Sequence, residues 1–171
     1  MPAWQTRPVP VVEIRALGPG DWAVWREVRL RALADAPHAF GSKLVDWQGD
    51  NDREERWRER FDNVAFNAVA VADGRIVGTV GGMDRRDATV ELISMWVAPE
   101  ERGIGVGQAL IAAVVDWAAA ESVETVVLAV RRGNRHAIAL YGRAGFQLLG
   151  SNPENAEEDL MARSISARTA D

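Results

Sequence analysis

The chain has 171 residues, enough for one domain with a sizeable core and rather short for two, so it reads as a single domain over 1–171. Apolar residues make up 47% and charged residues 26%, a folded-protein balance, and the absence of cysteine excludes disulfides, thiolate nucleophiles and cysteine-ligated metals. The net charge of −5 argues against general nucleic-acid binding, and the two histidines, His38 and His136, stand in no ligand spacing, which argues against a metal site.

The start, Met1-Pro2-Ala3-Trp4-Gln5-Thr6-Arg7, lacks the apolar core of a secretion signal, and no apolar run approaches the roughly 18 residues of a membrane span. A cytoplasmic protein with no membrane partner is expected. Lys43 is the sole lysine beside nineteen arginines, which points to a GC-rich bacterial genome. A loose arm over about 1–8 precedes a β-branched first strand at Val9 to Arg15, broken by Gly18-Pro19-Gly20. Asp21 then caps a helix through about Ala34, which Ala36-Pro37 ends. The charged run from Asn51 to Phe61 predicts a solvated helix laced with i,i+4 pairs.

Strands follow at Asn67 to Ala72 and Arg75 to Met83, joined by the hairpin signal Asp73-Gly74, and at Thr89 to Ala98. A helix over Gly105 to Ala120 leads to Thr125 to Val130, a near-continuous apolar strand expected to be buried on both faces. Asn134 caps a short helix ending near Ala144-Gly145. Strands from Phe146 to Leu149 and Glu158 to Ser164 complete the order before a tail over about 166–171. The pattern β-α-α-β-β-β-α-β-α-β-β predicts an α/β fold, a mixed sheet with helices on both faces.

The stretch most suggestive of chemistry runs from Ser94 to Gly107, where a strand passes through Pro99 into Arg102-Gly103-Ile104-Gly105-Val106-Gly107 and a helix. Alternate glycines let the backbone approach a ligand, and the free N–H groups of the first helical turn attract phosphate oxygens. A P-loop would need lysine and a hydroxyl residue after the last glycine, where Gln108 and Ala109 stand. A dinucleotide fingerprint would need G-x-G-x-x-G and an acid after the next strand, and neither is present. What survives is a loop that wraps a diphosphate without reacting at it.

The same residues resemble a known signature. Arg102-Gly103-Ile104-Gly105-Val106-Gly107 is similar to the R/Q-x-x-G-x-G/A segment of the GNAT acetyltransferase superfamily. Asn134-Arg135-His136-Ala137-Ile138-Ala139-Leu140-Tyr141-Gly142-Arg143-Ala144-Gly145-Phe146 resembles its N-x-x-A-I-x-L-Y-x-x-x-G-F segment in register. The resemblance implies a GNAT-like fold with a splayed central sheet, acetyl-coenzyme A as donor, no metal, and an amine as acceptor. A small molecule, a peptide, a protein N-terminus or a lysine could supply that amine, and a second copy of the chain is a further candidate partner. A non-catalytic acyl-coenzyme A sensor is the alternative of a different class.

By the same resemblance the backbone of Arg102 to Gly107 holds the pyrophosphate, the main chain of Val97 pairs with the pantetheine arm, and Asn134 contacts that arm further along. Tyr141, the only tyrosine, stands at the general-acid position, and the N–H of Met95 or Trp96 is the expected oxyanion donor. Alternation along the strand sets Glu91 on the same face as Ile93, Met95 and Val97, so Glu91 is the candidate base, with an arginine-paired surface carboxylate as the equal alternative. Ser94 faces the other way. The acceptor pocket is expected from Asp21 to Phe61, with Trp25 and Phe40 as candidate walls.

Overall fold

The computed structural model describes residues 9–165, so the expected arm 1–8 and tail 166–171 lie outside the described residues. The chain builds its sheet from hairpins where short turns allow them and from helical crossovers where they do not. The first strand, β1 (Val12–Ala16), pairs antiparallel with β2 (Phe66–Ala72), and β2 pairs with β3 (Arg75–Asp84). Asp73 and Gly74 join the latter pair with φ of 49° and 73°, the doubly positive geometry that matches strand twist in a tight hairpin. β4 (Thr89–Val97) extends the antiparallel series.

The helix α3 (Val106–Ala120) then crosses to β5 (Thr125–Arg131), which runs parallel to β4, and α4 (Arg135–Arg143) leads to the hairpin of β6 (Gln147–Asn152) and β7 (Asn155–Ser164). The seven strands lie in the order β1-β2-β3-β4-β5-β7-β6. The expected sequence of elements and the mixed sheet are both found. Boundaries differ by a few residues: the first strand begins at Val12 because Val9 and Val11 are exposed, and the last begins at Asn155.

Helices cover both faces. On one, α3 lies so close that a Cβ on Gly78 would stand 2.9 Å from Leu110 and one on Gly82 2.8 Å from the Trp117 ring. On the other, α1 (Trp22–Asp35) and α2 (Glu54–Asn63) are clamped by Asp52, whose carboxylate accepts from Arg26 Nε at 2.7 Å and from Trp57 Nε1 at 2.8 Å. Those hydrogen bonds, that of Arg26 foremost, hold the Asp52 carboxyl down at about 2. Asp21 does stand at the N-cap of α1, but its carboxylate accepts the N–H of Gly18 at 2.9 Å rather than one from the helix. The charged run of α2 is solvated only in part: Glu54–Arg58 forms the expected i,i+4 pair, while Trp57 is fully buried.

β4 and β5 pair only at Thr89↔Thr125, Val90↔Val126 and Glu91↔Val127, and then separate. The divergence coincides with a bulge in β4, where Ser94 takes φ 55° and the register slips so that Ser94 and Met95 together oppose Val80. The opening corrects one expectation: β5 is not buried on both faces. Val126, Leu128 and Val130 are buried and the residues between them only partly, because Ala129 and Arg131 border the opening. Among the described residues no helix is long and apolar enough to cross a membrane.

Candidate active site

The divergence of β4 and β5 leaves a cleft of about 690 Å³. Met95, Trp96 and Val97 from β4, Arg102, Gly103, Gly105 and Gly107 from the loop and helix start, Asn134 and Tyr141 from the α4 region and Phe40 all line it. The bulge explains the first three, since the two-for-one register turns the β4 backbone outward where β5 no longer pairs with it.

At the loop, Gly103 and Gly105 take φ of 81° and 93°, left-handed values that favour glycine, and among the described residues no atom beyond the chain neighbours stands within 4 Å of a Cβ at either. The first α3 hydrogen bond is Ala109 N–H to the Gly105 carbonyl at 3.1 Å, so the amides of Val106, Gly107 and Gln108 have no partner within the helix. An open, backbone-lined cradle at the positive end of a fifteen-residue helix is suited to a diphosphate. The side chains of Ile104 and Val106 do not line the cleft; Val106 packs into the core at 1% exposure.

Arg102 stands beside the cradle and is held from two sides. Its Nε donates to the Val97 carbonyl at 3.0 Å and an Nη to Asp35 at 2.7 Å, and the same Asp35 oxygen accepts from Trp96 Nε1 at 2.9 Å. Asp35 was missed from the sequence. Its signal was a carboxylate in the last turn of α1, where the helix dipole disfavours negative charge. His136, Arg131, Arg143 and Glu158 also border the cleft.

Tyr141 is 7% exposed and meets Phe146 edge-on at 5.9 Å between ring centroids. Its hydroxyl has no hydrogen-bond partner among the described residues, and burial raises the phenol pKa above its ordinary value. The ring packs while the hydroxyl stays free. Asn134 caps α4, accepting the Ala137 N–H at 3.2 Å.

One expectation is corrected. Glu91 does not share a face with Met95 and Val97: it pairs with Met83 across the sheet and Trp96 with Thr79, so the bulge places Glu91, Ile93 and Trp96 together and turns Met95 and Val97 to the other side. Glu91 is ion-paired with Arg85, its Oε2 accepting from Nε at 2.6 Å, and does not line the cleft. Trp25, 3% exposed, lies outside the cleft as well and lines a second cavity between α1 and α2.

Residues 28–146, more than half of the chain, match the model of the acetyltransferase (GNAT) family. The chain belongs to the GNAT family. A mycothiol acetyltransferase of Streptomyces griseus is 33% identical over 91% of this GNAT chain and 47% of its own length. An L-methionine sulfoximine/L-methionine sulfone acetyltransferase of Pseudomonas paraeruginosa is 34% identical over 74% of the chain and 83% of its own length. The chain thus spans about half the length of the mycothiol acetyltransferases it matches. In fold it is similar to the PaiA N-acetyltransferase of Thermoplasma acidophilum in complex with coenzyme A, with TM-score 0.72, 17% identity and 90% and 99% of the two chains covered. It is equally similar to yncA of Salmonella typhimurium with acetyl-CoA, with TM-score 0.72, 22% identity and 94% and 98% covered.

Proposed function

We propose that this GNAT protein transfers the acetyl group of acetyl-coenzyme A to a primary amine by direct attack in a ternary complex. The observation that carries the reading is that an open glycine cradle, the unpaired end of β4 and a tyrosine with a free hydroxyl border one cleft. The cradle of Gly103, Gly105 and Gly107 takes the pyrophosphate through main-chain N–H groups, Arg102 adds its charge, and the main chain of Val97 receives the pantetheine arm as an added strand, with Asn134 touching it further along. The Val97 carbonyl already accepts from Arg102 Nε and keeps a second lone pair for that pairing.

At the thioester, the neutral amine attacks the carbonyl carbon and negative charge develops on the carbonyl oxygen, where the N–H of Met95 or Trp96 stabilises it. The carbon–sulfur bond then breaks, and Tyr141 gives its phenolic proton to the departing thiolate of coenzyme A. Like any phenol, Tyr141 is protonated at neutral pH, and burial raises its pKa further. The proton lost by the amine leaves through the open cleft, since Glu91 is turned away toward Arg85.

The names of the relatives, one for mycothiol and one for two methionine derivatives, favour a small-molecule acceptor over a protein N-terminus or lysine. Release of free thiol from acetyl-coenzyme A, corrected for hydrolysis and measured across a panel of amines with mass detection of the product, tests the reading. Amine-dependent thiol release with an acetylated product is expected. Tight binding of acetyl-coenzyme A with no acetylated product would instead make the protein a sensor.

A further inference from the structure

The second cavity, about 360 Å³ between α1 and α2, has a chemistry of its own. Among the described residues, three buried side-chain nitrogens have no hydrogen-bond partner: Arg29 Nη1, Trp47 Nε1 and Arg60 Nη2. All three belong to residues that line this cavity, and all three are donors. Arg29 is only 8% exposed. Its guanidinium and that of Arg60 lie 5.8 and 4.2 Å from the centre of the Trp25 ring. Arg60 has one neutral partner, Asn67, whose Oδ1 accepts from Nε at 2.7 Å, and neither arginine has a carboxylate. Glu59 at the rim forms no ion pair with them.

One buried and one half-buried cation facing one space, each with a buried unused donor, is an arrangement a folded chain avoids unless something accepts those bonds. An acceptor-only group with two or three oxygens satisfies it. Burial lowers the Arg29 guanidinium to about 10 and that of Arg60 to about 9, the latter also through the charge of Arg29, so both remain cationic at neutral pH. Phe40 links the cavity to the cleft: its ring lies 4.7 Å from the Arg29 guanidinium and itself borders the cleft.

We propose that the acceptor is an amine that carries an oxyanion, a carboxylate or a phosphate, and that Arg29, Arg60 and the Trp47 N–H bind that oxyanion in the cavity between α1 and α2 while the amine reaches the cleft past Phe40. The identity of the ligand as acceptor rests on the acetyltransferase reading. Because Phe40 stands between the two spaces, amine and oxyanion need a spacer of several bonds.

The test compares 6-aminohexanoate, 6-aminohexyl phosphate and hexylamine, as acetyl acceptors by kcat/KM and as ligands alone by the shift in Tm. In the wild type one of the two anionic amines is expected to exceed hexylamine by roughly a hundredfold or more, because a site built to hydrogen-bond a substrate group rejects the analogue that lacks it. Whichever anionic amine wins identifies the oxyanion. R29Q and R60Q are expected to bring the ratio near one through KM, with the Tm shift by coenzyme A retained. The wild-type Tm shifts decide the matter if either variant fails to fold. Acetylation of all three amines at similar rates, with no oxyanion-dependent Tm shift, overturns the oxyanion site and leaves the transferase standing. An oxyanion-dependent shift without any acetylation keeps the site and overturns the transferase reading. No oxyanion-dependent effect of either kind means that water alone fills the cavity, and the proposal fails.

Discussion

Tyr141 joins two demands that act on different atoms: its ring fills space against Phe146, and its hydroxyl has no partner among the described residues. Tyr141→Phe separates them. The fold and the affinity for coenzyme A are expected to hold, while kcat falls by roughly 10²- to 10⁴-fold, the usual contribution of general acid catalysis. Single-turnover measurement makes chemistry the observed step. Desolvation raises the phenol pKa above its ordinary value near 10, so loss of the Tyr141 proton cannot produce an alkaline decline of kcat between pH 8 and 10. A wild-type single-turnover rate in the phenylalanine variant would leave the tyrosine a packing residue. Tyr141 was legible because a single tyrosine stands at a marked place in a motif. Arg29 and Arg60 were not, since nothing local in a charged helix tells which arginine turns inward; the approach of α2 to Gly81 of β3 brings the Arg60 Nη2 against the sheet.

At the scale of elements, the order of strands and helices could be read from turn signals and apolar periodicity, because Asp73-Gly74, the Gly103 to Gly107 loop and the Asn134 cap are local devices. The bulge at Ser94 could not. A bulge exists only relative to a partner strand, and alternation counted along β4 alone places Glu91 with Met95, whereas the paired register separates them. The loop offers a controlled comparison. Gly74 and Gly105 both take positive φ, 73° and 93°, and among the described residues neither has an atom beyond its chain neighbours within 4 Å of a Cβ position. Valine at either site therefore carries a similar backbone strain, about 1–3 kcal/mol. Gly105→Val is expected to weaken coenzyme A binding strongly as well, because its side chain enters the cradle, and Gly74→Val to leave it unchanged. Calorimetric titration alongside chemical denaturation checks this, and equal coenzyme affinity in two equally destabilised variants would remove the cradle from the binding site.

Across the whole molecule, the sheet is two blocks, β1 to β4 and β5 to β7, joined by three parallel residue pairs and by the crossover α3. The proposed coenzyme site draws on both, Val97 and the cradle from one side of the cleft and Asn134 and Tyr141 from the other. A ligand that spans the cleft therefore bonds the blocks to each other, and its binding energy adds to the stability of the domain rather than of one loop. By linkage, coenzyme A at a hundred times its Kd is expected to stabilise the fold by about 2.7 kcal/mol. Amide exchange should slow in β5 and α4 as well as at the glycine loop, since local opening of either block then costs the contacts to the ligand. Pantetheine at the same concentration, lacking the diphosphate, should raise Tm much less, because the cradle amides and Arg102 have nothing to hold. Equal shifts from the two ligands, with protection confined to β4, would mean that the pantetheine arm binds alone and that the open glycine loop serves the turn into α3 and not an anion.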